Sequence, residues 1–328
     1  MDHRRWHAGP DPYRGARQRR GLTGGLDPAL VTTIPARPGG FRRATVPVMT
    51  ADGDSPADVE DLVQFEIRNQ VAWITIDNPD KGNALSPAMR DRMAGLLNGL
   101  NGRFEARAVV ITATGSKLFC PGADISVERE ATPRPDGAPE PIVGESRRMM
   151  LEGQLKLMPA ILDCELPVIA AVNGTAAGVG AHLALCCDLV VMADHAKFIE
   201  VFARRGLVPD GLGAWILPRL VGLQKARELM FFAEDIPAAE ALRLGLCNRV
   251  VPAAELPAAA TEWAERLASG PTRSLMLTKW LVNRSLDVDR RTLEDNEAWA
   301  VELNSGTHDA REGIASFRER RDPIWRGF

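Results

Sequence analysis

The chain has no run of about 18 apolar residues of the kind that spans a bilayer. Its opening residues lack the apolar core of a secretory leader. No membrane partner and a cytoplasmic location are therefore expected. Cysteine is sparse: Cys120, Cys164, Cys186, Cys187 and Cys247 make five, an odd number without a CxxC pair. That pattern argues against a disulfide scaffold and reads as reduced, buried thiols. Histidine is equally sparse, with five residues. His3 and His7 stand in an unpatterned arm, and His195 and His308 have no Cys or His close by in sequence, so no metal site is expected. Positive charge is not in excess. The formal net charge is −3, which gives no reason to expect a nucleic-acid partner.

Apolar residues make up 45% of the 328, enough for a substantial core. Residues 1–57 do not share in it. They lack apolar periodicity and are broken by Gly9-Pro10, Gly24-Gly25 and Pro38-Gly39-Gly40. Such a segment cannot offset its ordering entropy by burial, so a disordered extension is expected. Met49, just before a polar run, offers an alternative start. Order is expected from about Val59. Alternating Val63, Phe65 and Ile67, then Val71, Trp73, Ile74 and Ile76, read as a hairpin turning at Asn69-Gln70. Pro87 to Leu100 reads as a helix capped by Ser86, with Met89, Met93, Leu96, Leu97 and Leu100 on one face.

Further strands are expected over 108–112, 167–172 and 188–193, and helices over 145–162 and 178–187. Residues 127–144, rich in Pro, Glu and Gly, read as a mobile loop. From about Ala238 the pattern is helical, with pieces at 253–268, 273–285, 289–304 and 309–320. The strand–loop–helix order implies α/β with largely parallel pairing. Pattern alone leaves open whether the sheet is doubly wound or coiled.

Three segments carry a resemblance. They are Asn78-Pro79-Asp80-Lys81-Gly82-Asn83-Ala84-Leu85-Ser86, Phe119-Cys120-Pro121-Gly122-Ala123-Asp124-Ile125, and the stretch from Pro167 to Gly180 containing Asn173-Gly174 and Gly178-Val179-Gly180. Cys187-Asp188-Leu189, Gly206-Leu207-Val208-Pro209-Asp210-Gly211 and Asp309-Ala310-Arg311-Glu312-Gly313 follow in order. Together they resemble the crotonase (enoyl-CoA hydratase/isomerase) superfamily over roughly residues 60–328. The resemblance implies an α/β spiral of ββα units over 58–252. It also implies a C-terminal helical oligomerisation region over 253–328, assembling a homotrimer or dimer of trimers. The implied partner is an acyl-CoA thioester. Coenzyme A comes as part of the substrate, no separate cofactor is needed, and fatty acid metabolism is the implied setting.

A thioester α-proton leaves only if the carbonyl oxygen can carry developing negative charge, and two converging backbone N–H groups supply that without reorganisation. By the resemblance these amides belong to Ala84 and Val179. Val179 stands where the family usually has glycine, so its side chain threatens to crowd the thioester. Hydratases of the superfamily use two glutamates, and the matching positions here are His182 and Phe202. Glu200 would need a shifted backbone to substitute, and otherwise reads as a surface or salt-bridged strand residue. Asp210, in its Val-Pro-Asp-Gly turn, resembles the acid of isomerase-type members, and one carboxylate suffices for a 1,3-proton shift. His182 is expected either to orient water or touch the acyl chain, or else to be a packed core residue. Lys81, Asn83, Ala123, Asp124, Ile125 and Lys279 are implied to meet the CoA end of the substrate. Asp124 is expected to cap or brace that loop, and the lysines to meet phosphates or the adenine end. Isomerase, hydratase and a non-catalytic acyl-CoA-binding homologue all stay open.

Overall fold

The computed structural model describes residues 56–126, 135–138 and 143–328. The disorder expected over 1–57 and the mobile loop expected over 127–144 fall largely outside these residues.

The chain opens with α1 (Pro56–Leu62), then β1 (Val63–Arg68) and β2 (Val71–Ile76). These two strands pair antiparallel with Arg68 opposite Val71. The turn between them puts Asn69 and Gln70 at φ 50° and 60°, the left-handed pair whose twist matches a two-residue hairpin. Next comes α2 (Pro87–Leu100), where the Ser86 hydroxyl accepts from the Met89 N–H at 3.2 Å. Met89, Met93, Leu97 and Leu100 form its buried face.

β3 (Ala108–Ala113) and the short β4 (Leu118–Cys120) follow. The helix expected over 145–162 is in fact two, α3 (Glu145–Glu152) and α4 (Gln154–Leu162). They break at Gly153 (φ −110°, ψ −109°), where a Cβ would stand 2.9 Å from Arg90 Nη1. β5 (Val168–Val172), β6 (Thr175–Ala177), α5 (Val179–Leu185), β7 (Leu189–Ala193) and β8 (Lys197–Ile199) come next. α6 (Gly213–Phe232), β9 (Asp235–Pro237), α7 (Ala238–Leu244) and β10 (Arg249–Val251) complete the core. α6 had no counterpart in the sequence reading. It is kinked at Gly222 (φ 77°), and its apolar residues do not fall on one stripe.

Two sheets settle the topology that the sequence left open. One runs β1-β2-β3-β5-β7-β10, the other β4-β6-β8-β9. Beyond the first hairpin every pair is parallel except β8 with β9. Each long strand of the first sheet thus passes at once into a short strand of the second: β3 into β4, β5 into β6, β7 into β8. A helix then returns the chain to the next turn. This is a spiral of ββα units. β5 is buried at every position, as a parallel strand covered on both faces must be. The corner from β5 into β6 requires Gly174, since a Cβ there would lie 2.5 Å from the Lys117 carbonyl carbon.

α8 (Leu256–Ala268) packs against β3, β5 and β7. α9 (Thr272–Arg284), α10 (Arg290–Ser305) and α11 (His308–Glu319) extend beyond it. On these last three helices Val282, Trp299, Val301, Leu303 and Phe317 are more than half exposed. Among the described residues no helix is long and apolar enough to cross a membrane.

Candidate active site

The site forms where the second sheet meets the start of α5. Gly178 (φ 53°, ψ −124°) leads β6 into that helix, and a Cβ there would lie 3.1 Å from Val201 Cγ1. Gly180 lets the helix seat on β4, since a Cβ would fall 2.0 Å from the Cys120 carbonyl oxygen. Gly122 faces the helix mouth at φ 116°. Its absent Cβ would lie 3.7 Å from the Val179 nitrogen and 3.4 Å from the Ala177 oxygen.

The geometry corrects one of the two expected amides. The Ala84 N–H donates to the Lys81 carbonyl at 3.2 Å, and the Ala84 carbonyl accepts from Asn78 Nδ2. Ala84 is thus part of a closed turn. The neighbouring Leu85 bridges Ala123 in parallel, donating to the Gly122 oxygen (2.9 Å) and accepting from Asp124 N (3.0 Å). A parallel bridge of this kind points the N–H of the middle residue, Ala123, away from Leu85. Among the described residues neither the Ala123 nor the Val179 amide has an acceptor. Ala123 adjoins Gly122, which faces the Val179 nitrogen. Ala123 and Val179, not Ala84 and Val179, are therefore the open amides at this point. The valine side chain lies against the Asp210 turn, since a Cβ on Gly211 would stand 3.6 Å from both of its methyl groups.

Asp210 sits on that turn, followed by Gly211 (φ 58°) and Leu212 (φ 63°), both left-handed. Its Oδ1 is buried and accepts no hydrogen bond. Burial pushes its carboxyl above the usual carboxylate range, against the opposing pull of His182 and Arg90.

His182 does not face a ligand, which corrects its expected place among the reacting groups. The ring is 0% exposed and both nitrogens are engaged. Nδ1 lies 2.7 Å from the Asp210 carbonyl oxygen, and Nε2 lies 3.0 and 3.2 Å from the two Glu200 oxygens. Phe202 stacks on it at 5.4 Å between centroids. Glu200 is neither surface nor distant, but 2% exposed and paired with this ring. The sequence signal for that pair was only a histidine and a glutamate 18 residues apart on different elements, which no local pattern distinguishes. Cys120, beneath the helix mouth, has its thiol pushed up to about 12 by burial, so it offers no thiolate.

The residues expected at the CoA end divide. Lys81 donates to Ser126 Oγ at 2.8 Å, and Asp124 braces the same loop by accepting from the Ser126 hydroxyl and amide. The Ser126 hydrogen bond holds the Asp124 carboxyl below its usual range. Ile125 is 98% exposed beside them. Asn83 is instead a buried staple. Its Nδ2 donates to the Thr114 and Leu118 carbonyls and its Oδ1 accepts from Asn78 N, leaving no side-chain group for a ligand. Lys279 is likewise corrected. It is buried, donates to the Ile161 and Leu166 carbonyls, and pairs with Asp188 at 2.8 Å, so it ties α9 to the core.

A spiral of ββα units is the fold of the crotonase superfamily. Residues 66–327 match the family model described as Enoyl-CoA hydratase/isomerase, and the chain belongs to this family of acyl-CoA enzymes. It is 38% identical over 265 residues to a probable enoyl-CoA hydratase of Rhodobacter capsulatus, covering 81% of this chain and 98% of that one. It is 31% identical over 267 residues to 1,2-epoxyphenylacetyl-CoA isomerase of Escherichia coli, covering 81% and 99%. Among solved structures, an enoyl-CoA hydratase from Bacillus anthracis superposes with a TM-score of 0.72 at 30% identity, covering 81% of this chain and all of that one.

Proposed function

We propose that the chain shifts a double bond in an enoyl-CoA or related acyl-CoA thioester. The Ala123 and Val179 amides hold the thioester oxygen as the α-carbon loses its proton. Asp210 takes that proton and returns it elsewhere on the conjugated enolate. Losing one such amide donor costs about 2.7–4 kcal/mol in comparable sites.

The observation that carries this reading is the Asp210 carboxyl. Its Oδ1 is buried and unpartnered, on a turn that covers Val179. Glu200, the other nearby carboxyl, is held by His182, and Phe202 cannot move a proton. One available carboxyl suits a proton shuttle better than two-glutamate water addition. Purified protein given 2-enoyl- and 3-enoyl-CoA substrates should interconvert them faster than it hydrates them. Hydration retained in full by Asp210→Asn would end the isomerase reading. Tight CoA binding without turnover of any substrate would favour a binding protein instead.

Lys81, Asp124 and Ile125 form an exposed rim suited to the CoA end of the substrate. The apolar row on α9–α11 supports assembly as a trimer or dimer of trimers, since isolated copies would leave it in water. Sedimentation at micromolar concentration tests this, and a monomer there would overturn it.

A further inference from the structure

Beneath the Asp210 turn lies a pair of groups that the proton shuttle itself does not use. His182 Nδ1 faces the Asp210 carbonyl oxygen at 2.7 Å, and a carbonyl only accepts, so Nδ1 carries a proton. Nε2 stands 3.0 and 3.2 Å from the two Glu200 oxygens. Glu200 therefore holds the ring from the end opposite the Asp210 carbonyl. Packing leaves the ring no other position. Phe202 stacks on one face at 14°, and a Cβ on Gly213 would fall 2.0 Å from Cε1. The turn it grips is strained, because Leu212 follows Gly211 in left-handed backbone at φ 63°. Such backbone persists only when its surroundings hold it.

We propose that Glu200 and His182 form a buried positioning pair for Asp210, gripping its backbone carbonyl so that the carboxyl stands beside Val179 with Oδ1 free to take a proton. This rests on the reading of Asp210 as the shuttle. Neither residue touches substrate. The charged groups facing Asp210 are His182 from α5 and Arg90 from α2, and the group facing His182 in turn is Glu200 beyond β8.

Two variants and one control test it by pH–rate profiles on the full chain. Glu200→Gln keeps size and a hydrogen bond to Nε2 but replaces the carboxyl that holds the ring. The acid limb of kcat/KM should then move, with KM unchanged. The double variant His182→Phe with Glu200→Leu removes both polar groups together and strands no charge. Its kcat should fall at least about tenfold with KM unchanged, the cost of a loosened catalytic group. Asp210→Asn reports on the shuttle reading alone. If it abolishes isomerisation while both pair variants keep the parental kcat and acid limb, the positioning proposal is overturned and the shuttle stands. If it is fully active, the shuttle reading falls first. Should the double variant fail to fold, the acid limb of Glu200→Gln decides: a shift supports the pair, and an unmoved limb sinks it.

Discussion

Three aspartates separate the architecture of this chain from its candidate chemistry. In the C-terminal region Asp309 is 1% exposed, and its two oxygens accept from the Arg326 and Gly327 amides at 2.8 and 2.7 Å. Asp188, just before β7, accepts from the Val168 amide at 2.7 Å and pairs with Lys279. Asp210 keeps Oδ1 buried and empty. A buried oxygen without a donor costs free energy, so native structures rarely keep one without a use. The two satisfied aspartates hold chain segments together, and Asp210 keeps one oxygen open.

Breaking each arrangement should therefore have different consequences. The largest effect is expected for Asp210→Asn, which should lower kcat/KM by about 10²–10⁴-fold, measured with a 3-enoyl-CoA. The same change should raise stability at neutral pH. Burial raises the folded-state pKa of Asp210 above the 3.8 of a free aspartate, so the folded chain holds that proton longer than the unfolded one. Stability is lost as pH climbs from about 3.8 through the raised value, and the penalty persists above it. Thermal melts should show the Asn variant gaining at pH 7 and matching the parent at low pH.

Lys279→Ala should cost about 1.5–3 kcal/mol in denaturant unfolding, because it removes the ammonium that bonds Asp188 and the Ile161 and Leu166 carbonyls. The KM for the thioester should stay near that of the parent, and a large rise would restore Lys279 to the CoA site. Ser86→Ala removes the helix cap of α2 and should cost about 1 kcal/mol, with kcat unchanged. Smallest of all, alkylating reagents should leave the native protein unlabelled, since all five thiols are buried. Rapid labelling of Cys120 would mean that the helix mouth opens.

The hairpin at Asn69-Gln70, the helix from Pro87 and the buried β5 were legible because each writes its period or cap locally. The short strands β4, β6, β8 and β9 were not. Each has three residues, fewer than any periodicity can register, and they exist only because neighbours supply partners. The helix break at Gly153 was hidden for a related reason, since the apolar pattern runs on through it.

In the candidate site, the motifs suggested Asp210 and Val179. Which second N–H stays open could not be read from them, because it depends on a bridge between Leu85 and Ala123. Residue order alone determined the family, the alternation of strands and helices, and the candidate acid. Tertiary structure alone decided that the sheets coil, that Gly122 faces the Val179 nitrogen, and that Glu200 is locked to His182. Local patterns record what each segment can bury. Hydrogen-bond partners from distant segments choose which polar groups are left over for chemistry.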